Sequence, residues 1–351
     1  MFITFFRSSS YNAWDFCPQK YFLDYTLGYH SPAGKKADKG NVVHKALELL
    51  ARYKLATQQS EALFGDDDTG VFDVLGFNPE LALDVAWKHI VGLTPHHDWN
   101  NRDFDDCVAW MYEALTWRGG MFSPLKREIV MPEKYFELEI KEPWAQYAYE
   151  INGEKVSGYL GLKGTIDLLV KQGKDSLEMI DWKTGLRKDW STFQDKTYEK
   201  LQDDPQLRIY HYAASKMFPK VKNIFITIFY LQDGGPESLC FTEDDLKKTE
   251  DMLRARFNTI RNTQRPKTVY PSKKCGWCYF KKNSFDGPTD DYNKSICKTV
   301  HNDIITLGLD KVTNKYSKEN VNNYGSGGGR RNDKDKVQEA SATSNQTKQG
   351  N

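Results

Sequence analysis

An excess of charge of either sign is missing from this chain. Over 351 residues, 49 Lys and Arg face 48 Asp and Glu, a formal net charge of +1. A global pull on a polyanion is thereby excluded, and any nucleic acid has to be held locally. Long apolar runs are missing too. Nothing approaches the roughly 20 apolar residues of a membrane helix, and the opening MFITFF is too short for a signal sequence, with its basic residue, Arg7, after it instead of before it. These absences point to a soluble, cytoplasmic protein without a membrane partner. Cysteine is scarce: six in the chain do not make a disulfide scaffold, and clustered thiols in a reducing compartment are more often metal ligands. Neither a Walker phosphate loop nor a repeat of about 20 to 50 residues is present, so an ATP-driven motor is not encoded.

Apolar and aromatic residues are plentiful, at 39% and 13%, enough to pack a core. An aromatic-rich segment from Ser8 to Leu27 suits a short helix. Val43, Ala46, Leu47, Leu50 and Ala51 keep helical spacing over Asn41 to Lys54, with His44 in the first turn after Gly40. Pro79 to Val91 and Arg102 to Trp117 read as a helical insert. The period then changes: Tyr135 to Ile140, Gly158 to Val170, Leu177 to Trp182 and Ile224 to Leu231 are β-branched or alternating. Asp203-Asp204-Pro205 is a helix start, followed by Gln206, Tyr210 and Ala213. The chain divides into an N-terminal segment (1–40), a helical region carrying His44 (41–130), a core (131–265), a cysteine-bearing region (266–310) and a polar tail (311–351) too poor in apolar residues to order itself.

Asp167 in GTIDLLV, and Asp181 with Lys183 in MIDWKTG, each end an apolar strand that otherwise carries no charge. Adjacent strands bring such carboxylates within a few ångström, and a hard divalent cation with oxygen ligands relieves their repulsion. Strand alternation turns Asp181 and Lys183 to one face and Trp182 to the other. An ammonium there can orient an attacking water and offset charge on a phosphate in flight. An acid-x-Lys triplet alone says little, since roughly five arise by chance; its place at a strand end gives it weight.

In these segments the chain resembles the PD-(D/E)xK nuclease superfamily, particularly its RecB-like branch and the iron-sulfur exonucleases of CRISPR adaptation and AddB type. The ordered resemblance runs through FCPQKYFLDY, GNVVH, GTIDLLV, MIDWKTG and QLRIY. It implies a restriction-endonuclease-like α/β fold, a mixed central sheet flanked by helices, with the helical insert and a C-terminal cysteine cluster. It implies His44, Asp167 and Asp181 as ligands of Mg²⁺ or Mn²⁺, with the Trp182 carbonyl as a further ligand and Lys183 as the catalytic lysine. Gln206 and Tyr210, four apart on one helix face, match the QxxxY element and are assigned to DNA contact or support of the site. Glu133, Glu137 and Glu139 lie around the first strand, and spacing does not choose among them as a further ligand. Lys35, Lys36, Lys39, Arg187, Lys188 and Arg208 are candidates to track a phosphate backbone, and Tyr198 to stack on an unpaired base.

Cys107 and Cys240 sit in apolar sequence and read as ordinary buried residues. Cys275-x₂-Cys278 is a metal signal, because its short loop places two thiolates on one ion or cluster. With Cys297, and with Cys17 at the resemblance's distant first ligand, it implies a [4Fe-4S] cluster. Zinc at Cys275, Cys278, Cys297 and His301 is the alternative, through Cys297-x₃-His301. The expected activity is hydrolysis of DNA, by resemblance at single-stranded ends, in company with recombination or replication proteins. A nucleic-acid-binding subunit with weak turnover and a structure- or site-specific endonuclease are the rival readings.

Overall fold

Asparagine and aspartate open three of the helices that carry this fold. The Asn78 side chain accepts from the N–H groups of Glu80 and Leu81, Asn100 and Asp103 form a reciprocal capping box, and Asp204 accepts from Gln206 N–H just ahead of Pro205. A computed structural model of the chain describes residues 1–64, 78–151, 153–189 and 194–317. None of its described helices is long and apolar enough to cross a membrane. The chain forms two compact units that interleave in sequence.

The larger unit comprises Pro32–Leu138 and Leu162–Leu253, so the helical region and most of the core share it. Its strands are β1 (Ile129–Glu139), β2 (Gly161–Gly173), β3 (Ser176–Lys183), β4 (Asn223–Tyr230) and β5 (Gly235–Phe241), hydrogen-bonded in the order β1-β2-β3-β4-β5. β2 and β3 are antiparallel, with Leu168 opposite Ile180; β3 and β4 are parallel, with Asp181 opposite Ile228; β4 and β5 are antiparallel. A parallel pair needs a long crossover, supplied by the helix Pro205–Met217. The helices α1 (Lys35–Phe64), α2 (Pro79–Leu93) and α3 (Asn101–Gly120) precede the sheet, and Pro205–Met217 is α4. Val43, Leu47, Leu50, Met111 and Leu115 pack with Leu168, Ile180, Trp182 and Phe229 in one core. This is a mixed α/β fold with a central mixed sheet flanked by helices.

Helix α1 runs well past Asn41 to Lys54 in both directions, so His44 stands in its third turn instead of its first. Helix-favouring Lys and Ala residues prolong it on the N-terminal side, and past Lys54 Leu55 still packs against the core. The expected strand from Gly158 to Val170 is two strands, Glu154–Tyr159 and β2, parted at Leu160, whose N–H donates to Ala145 O.

The second unit comprises Met1–Ser31, Glu139–Gly161 and the residues from Arg254 on. Chain ends meet in it: the Met1 ammonium donates to the carbonyls of Arg261 (3.2 Å) and Thr263 (3.0 Å), and Gln19 N–H to Lys267 O. The hairpin Gln146–Ile151 with Glu154–Tyr159 belongs here, as do helices Ile296–Leu307 and Leu309–Tyr316. Residues 311–316 are thus helical, not part of a structureless tail, because Leu309 and Val312 are buried in their own short amphipathic turn pattern. The rest of the expected tail, from 318, lies outside the described residues.

Candidate active site

One step beyond the last paired residues of β2 and β3, Leu168 and Ile180, stand Asp167 and Asp181. Both are buried, and each is held by named partners. Asp167 Oδ2 accepts from Trp182 N–H (3.0 Å) and lies 3.3 Å from His44 Nδ1. Asp181 Oδ2 is 2.6 Å from Lys183 Nζ, and its Oδ1 accepts from Gln206 Nε2 at 2.9 Å. Gln206 Nε2 also donates to the Tyr210 hydroxyl (3.0 Å), which in turn donates to Thr165 O at 2.8 Å. The two α4 residues therefore brace Asp181 against the neighbouring strand, an orientation that a bare strand end does not enforce.

Two glycines let these elements approach. A Cβ at Gly40 of α1 would fall 2.7 Å from Thr184 Oγ1, directly after Lys183, and one at Gly164 would fall 2.7 Å from the Phe136 ring. A larger residue at Gly40 therefore requires the Thr184 side chain, next to Lys183, to move aside.

Glu133 completes the group. Its Oε1 is 3.9 Å from His44 Nδ1, and single donor atoms of His44, Glu133 and Asp167 all lie within 4.8 Å of one another. Its backbone is left-handed, with φ of 42°, inside β1. For a residue with a side chain that conformation is strained, and such strain is concentrated at functional sites. It also breaks the alternation that would have ranked Glu133 with Glu137, whose carboxylate pairs instead with Lys163 at 2.8 Å. Sequence spacing carries no sign of this kink.

The charges are strongly coupled by burial. Desolvation pulls the His44 imidazole down, but Asp167 and then Glu133 outweigh it and raise its pKa to about 9. Burial pushes the Asp167 carboxyl up, yet His44 and Lys183 hold it below the usual carboxylate range. Asp181 is raised, burial and the Asp167 charge exceeding the pull of Lys183. Lys183 is also raised: its burial is outweighed by Asp181 and Asp167, which keep the ammonium protonated. One imidazole nitrogen and several carboxylate oxygens converging in a half-buried pocket make a donor set suited to a hard or borderline divalent cation. Trp182, beside Asp181 on β3, is wholly buried in the core.

Several basic residues do not stand free to track a phosphate backbone. Lys35 pairs with Asp103 (2.5 Å), Lys39 with Asp103 (3.3 Å) and Asp106 (2.6 Å), Lys188 with Asp195 (2.5 Å) and Arg187 with Glu237. Arg208 is 6% exposed and bound to Asp203 at 2.7 Å. Lys36 and Tyr198 remain exposed. Cys107 is buried, but Cys240 is exposed, because alternation along the last strand turns Leu239 and Phe241 inward and Cys240 out.

In the second unit, Cys17, Cys275, Cys278 and Cys297 line one small cavity with Thr268, Tyr270 and Tyr292. Cys17 Sγ lies 3.8 Å from Lys267 O, Cys275 Sγ 3.6 Å from Ser272 Oγ and Cys297 Sγ 3.9 Å from Thr268 Oγ1, while Tyr292 also hydrogen-bonds to Cys297 and the backbone of Phe280 and Lys281 to Cys278. Burial pushes the thiol of Cys278 up, and that of Cys297 to about 11. His301, four residues after Cys297 on the same helix, keeps a buried Nδ1 without a hydrogen-bond partner.

A mixed sheet whose strand ends gather two aspartates, a lysine and a histidine defines a class of metal-using nucleases. Residues 8–282 match the PD-(D/E)XK nuclease superfamily, and the chain belongs to it. It is a hydrolase acting on nucleic acid, with DNA the substrate that the superfamily implies. Among solved structures it is similar to a protein from Eubacterium rectale described as a candidate exonuclease, at 12% identity and a TM-score of 0.45, covering 78% of this chain and 87% of that one. It is similar also to the protein SSO0001, at 15% identity and a TM-score of 0.26, covering 75% and 92%. Among curated proteins no relative matches.

Proposed function

We propose that this chain hydrolyses DNA with Mg²⁺ or Mn²⁺ held by His44, Asp167 and Asp181, joined by Glu133, beside Lys183, as a RecB-like exonuclease working on single-stranded ends. The observation that carries the reading is the convergence of the His44, Glu133 and Asp167 donors within 4.8 Å, next to the Asp181–Lys183 pair at 2.6 Å. A bound divalent cation supplies Lewis acidity toward a phosphate oxygen and makes a water more acidic. The chain's own residues do the rest. Glu133 was not singled out in the sequence; its carboxylate adds a hard oxygen donor to the His44 and Asp167 pair. Asp181 is braced by Gln206 and holds Lys183, whose ammonium offsets charge developing on the phosphate. Tyr210 fixes Gln206, so the pair supports the site through Asp181. The Trp182 carbonyl is a further ligand by resemblance to the superfamily.

Only the neutral imidazole of His44 can ligate, and an imidazole donor suits Mn²⁺ better than Mg²⁺. The decisive experiment is a time course on 5′- and 3′-labelled single- and double-stranded DNA, and on closed circles, with Mg²⁺, Mn²⁺ or Ca²⁺. Shortening from single-stranded ends, at least as fast in Mn²⁺ as in Mg²⁺, is expected. Cutting of closed circles would reassign the chain as an endonuclease, and DNA binding with no cutting in either metal would make it a binding subunit.

The cysteine cavity we assign to a [4Fe-4S] cluster, since Cys17 joins Cys275, Cys278 and Cys297 around one space. Such a group suits a reducing interior of the cell, where recombination or replication proteins are the partners to seek. Anaerobic purification should give brown protein absorbing near about 400 nm. The unpartnered His301 nitrogen favours a second reading, zinc on Cys275, Cys278, Cys297 and His301; colourless protein with stoichiometric zinc, indifferent to Cys17→Ala, would establish it.

A further inference from the structure

We propose that Trp277, between Cys275 and Cys278, is a base-stacking platform for single-stranded DNA, with Lys273, Lys281 and Lys282 holding the strand's phosphates. The proposal rests on the DNA-processing function proposed above and concerns a surface of the second unit, distinct from the carboxylate centre of the first. Trp277 is 87% exposed, against 53% for the next most exposed large hydrophobic side chains among the described residues. Tryptophan is usually well buried, so an indole left almost wholly in water keeps a large flat apolar surface available.

The ring is presented by a fixed loop. Cys275 N–H donates to Ser272 O (3.0 Å), Cys278 N–H to Cys275 O (3.3 Å), and Lys274 Nζ to the carbonyls of Asp15 (3.1 Å) and Phe16 (3.2 Å). Cys278, next to the indole, is buried. The loop backbone therefore has little freedom left to lose when a ligand stacks on the indole. A second flat surface belongs to the same stretch: Tyr270 is 39% exposed and stacks on Tyr292 with ring centroids 3.6 Å apart and 11° between planes.

Charge identifies the occupant. From Arg265 to Ser284 the chain carries six Lys and Arg and no Asp or Glu, in a protein whose formal net charge is only +1. Lys273 and Lys282 are exposed, and among the described residues no carboxylate lies within ion-pair distance of Lys273, Lys281 or Lys282. This differs from the carboxylate centre's surroundings, where Lys35, Lys39, Arg187 and Lys188 are already paired with acids. Unpaired lysines around an exposed indole fit a polyanion that offers aromatic faces. Single-stranded DNA does so with any sequence, whereas a duplex hides its base faces in the stack.

The test measures binding of full-length protein to a labelled oligothymidylate, to an abasic strand of equal length and charge, and to a duplex, without added divalent cation so that hydrolysis does not intervene. Trp277→Ala should weaken oligothymidylate binding roughly tenfold, in the range of one stacked base, and leave the abasic strand unchanged. Trp277→Phe should restore most of the loss. Replacing Lys273 and Lys282 by Ala should weaken both single strands and flatten the salt dependence. Iron or zinc content measured on each variant separates loss of stacking from loss of the cysteine centre. Unaltered oligothymidylate binding by Trp277→Ala, or an equal loss for the abasic strand, overturns the platform; the first result would leave the face to a protein partner. Because no turnover is read, these outcomes stand apart from any failure of metal-dependent cleavage.

Discussion

The two centres of this molecule are built in opposite ways. The carboxylate centre draws His44 from a 30-residue helix and Asp167, Asp181 and Lys183 from long strands, and its donors are fixed by hydrogen bonds of 2.8 to 3.0 Å running through Gln206, Tyr210 and Trp182. The cysteine centre draws Cys17, Cys275 and Cys278 from short turns and Cys297 from the first turn of a helix, and its sulfurs lie 3.6 to 3.9 Å from Lys267, Ser272 and Thr268. A site supported by regular elements is preorganised before any cation arrives. A site whose ligands come from segments far apart in the chain depends on what it binds, because ligation that ties those segments together contributes directly to folding. The first should therefore lose chemistry without losing structure when altered, and the second the reverse.

The strongest check on that contrast is Asp181→Asn or Lys183→Ala. Either should lower the rate of DNA hydrolysis by at least about 10²-fold while circular dichroism and the thermal midpoint stay close to those of the parent. A large fall in midpoint with activity retained would put these residues in the scaffold instead of the chemistry.

Next in size is Cys17→Ala. Loss of the bound metal group and a destabilisation of about 2 kcal/mol or more are expected, read by absorbance, metal analysis and denaturant unfolding. An unfolding curve matching the parent's would remove the idea that the cysteine centre clasps its own unit.

Glu133→Gln should act more gently, raising the Mn²⁺ concentration needed for half-maximal activity about tenfold, since one oxygen donor is weakened while His44 and Asp167 remain. An unchanged metal titration would leave the strained backbone at Glu133 without a ligand role.

The smallest effect probes the framework between the chemistry and the core. His211 on α4 is 3% exposed and stacks on Phe241, and burial lowers its pKa to about 4. In the unfolded chain its ordinary value applies, near 6.5. Above about pH 6.5 both states are neutral and nothing is lost; as pH falls from there toward 4 the unfolded state takes the proton first, and stability declines. The cost reaches about 1–2 kcal/mol by pH 5. His211→Phe should flatten that limb of the stability profile, measured by urea unfolding at pH 5 and 7, with little change at pH 7.

Much of the first centre was legible because its signals are local. Strand alternation sets Asp181 and Lys183 on one face whatever surrounds them, Asp204-Pro205 starts α4, and Gln206 and Tyr210 share a helix face by spacing alone. The hairpin Gln146–Ile151 with Glu154–Tyr159 was not read, because its polar, aromatic alternation faces little core. The last strand, Gly235–Phe241, was missed as well: it opens on Gly and Pro, which read as a turn.

The sequence by itself determined the mixed alternation of helices and strands and the charged ends of two apolar strands, which follow from local periodicity, and the Cys-x₂-Cys loop, which follows from its spacing; the fold class came with the resemblance those segments carry. Tertiary structure alone decided the rest. It chose Glu133 over Glu137 through a left-handed residue inside a strand, brought Cys17 into the cavity of Cys275, Cys278 and Cys297, and turned Cys240 outward. It also neutralised the lysines near the carboxylate centre with acids from α3, while leaving Trp277 and its lysines open to water. Periodicity fixes which way a side chain leaves its own element; what it meets there depends on packing against residues far away in the chain.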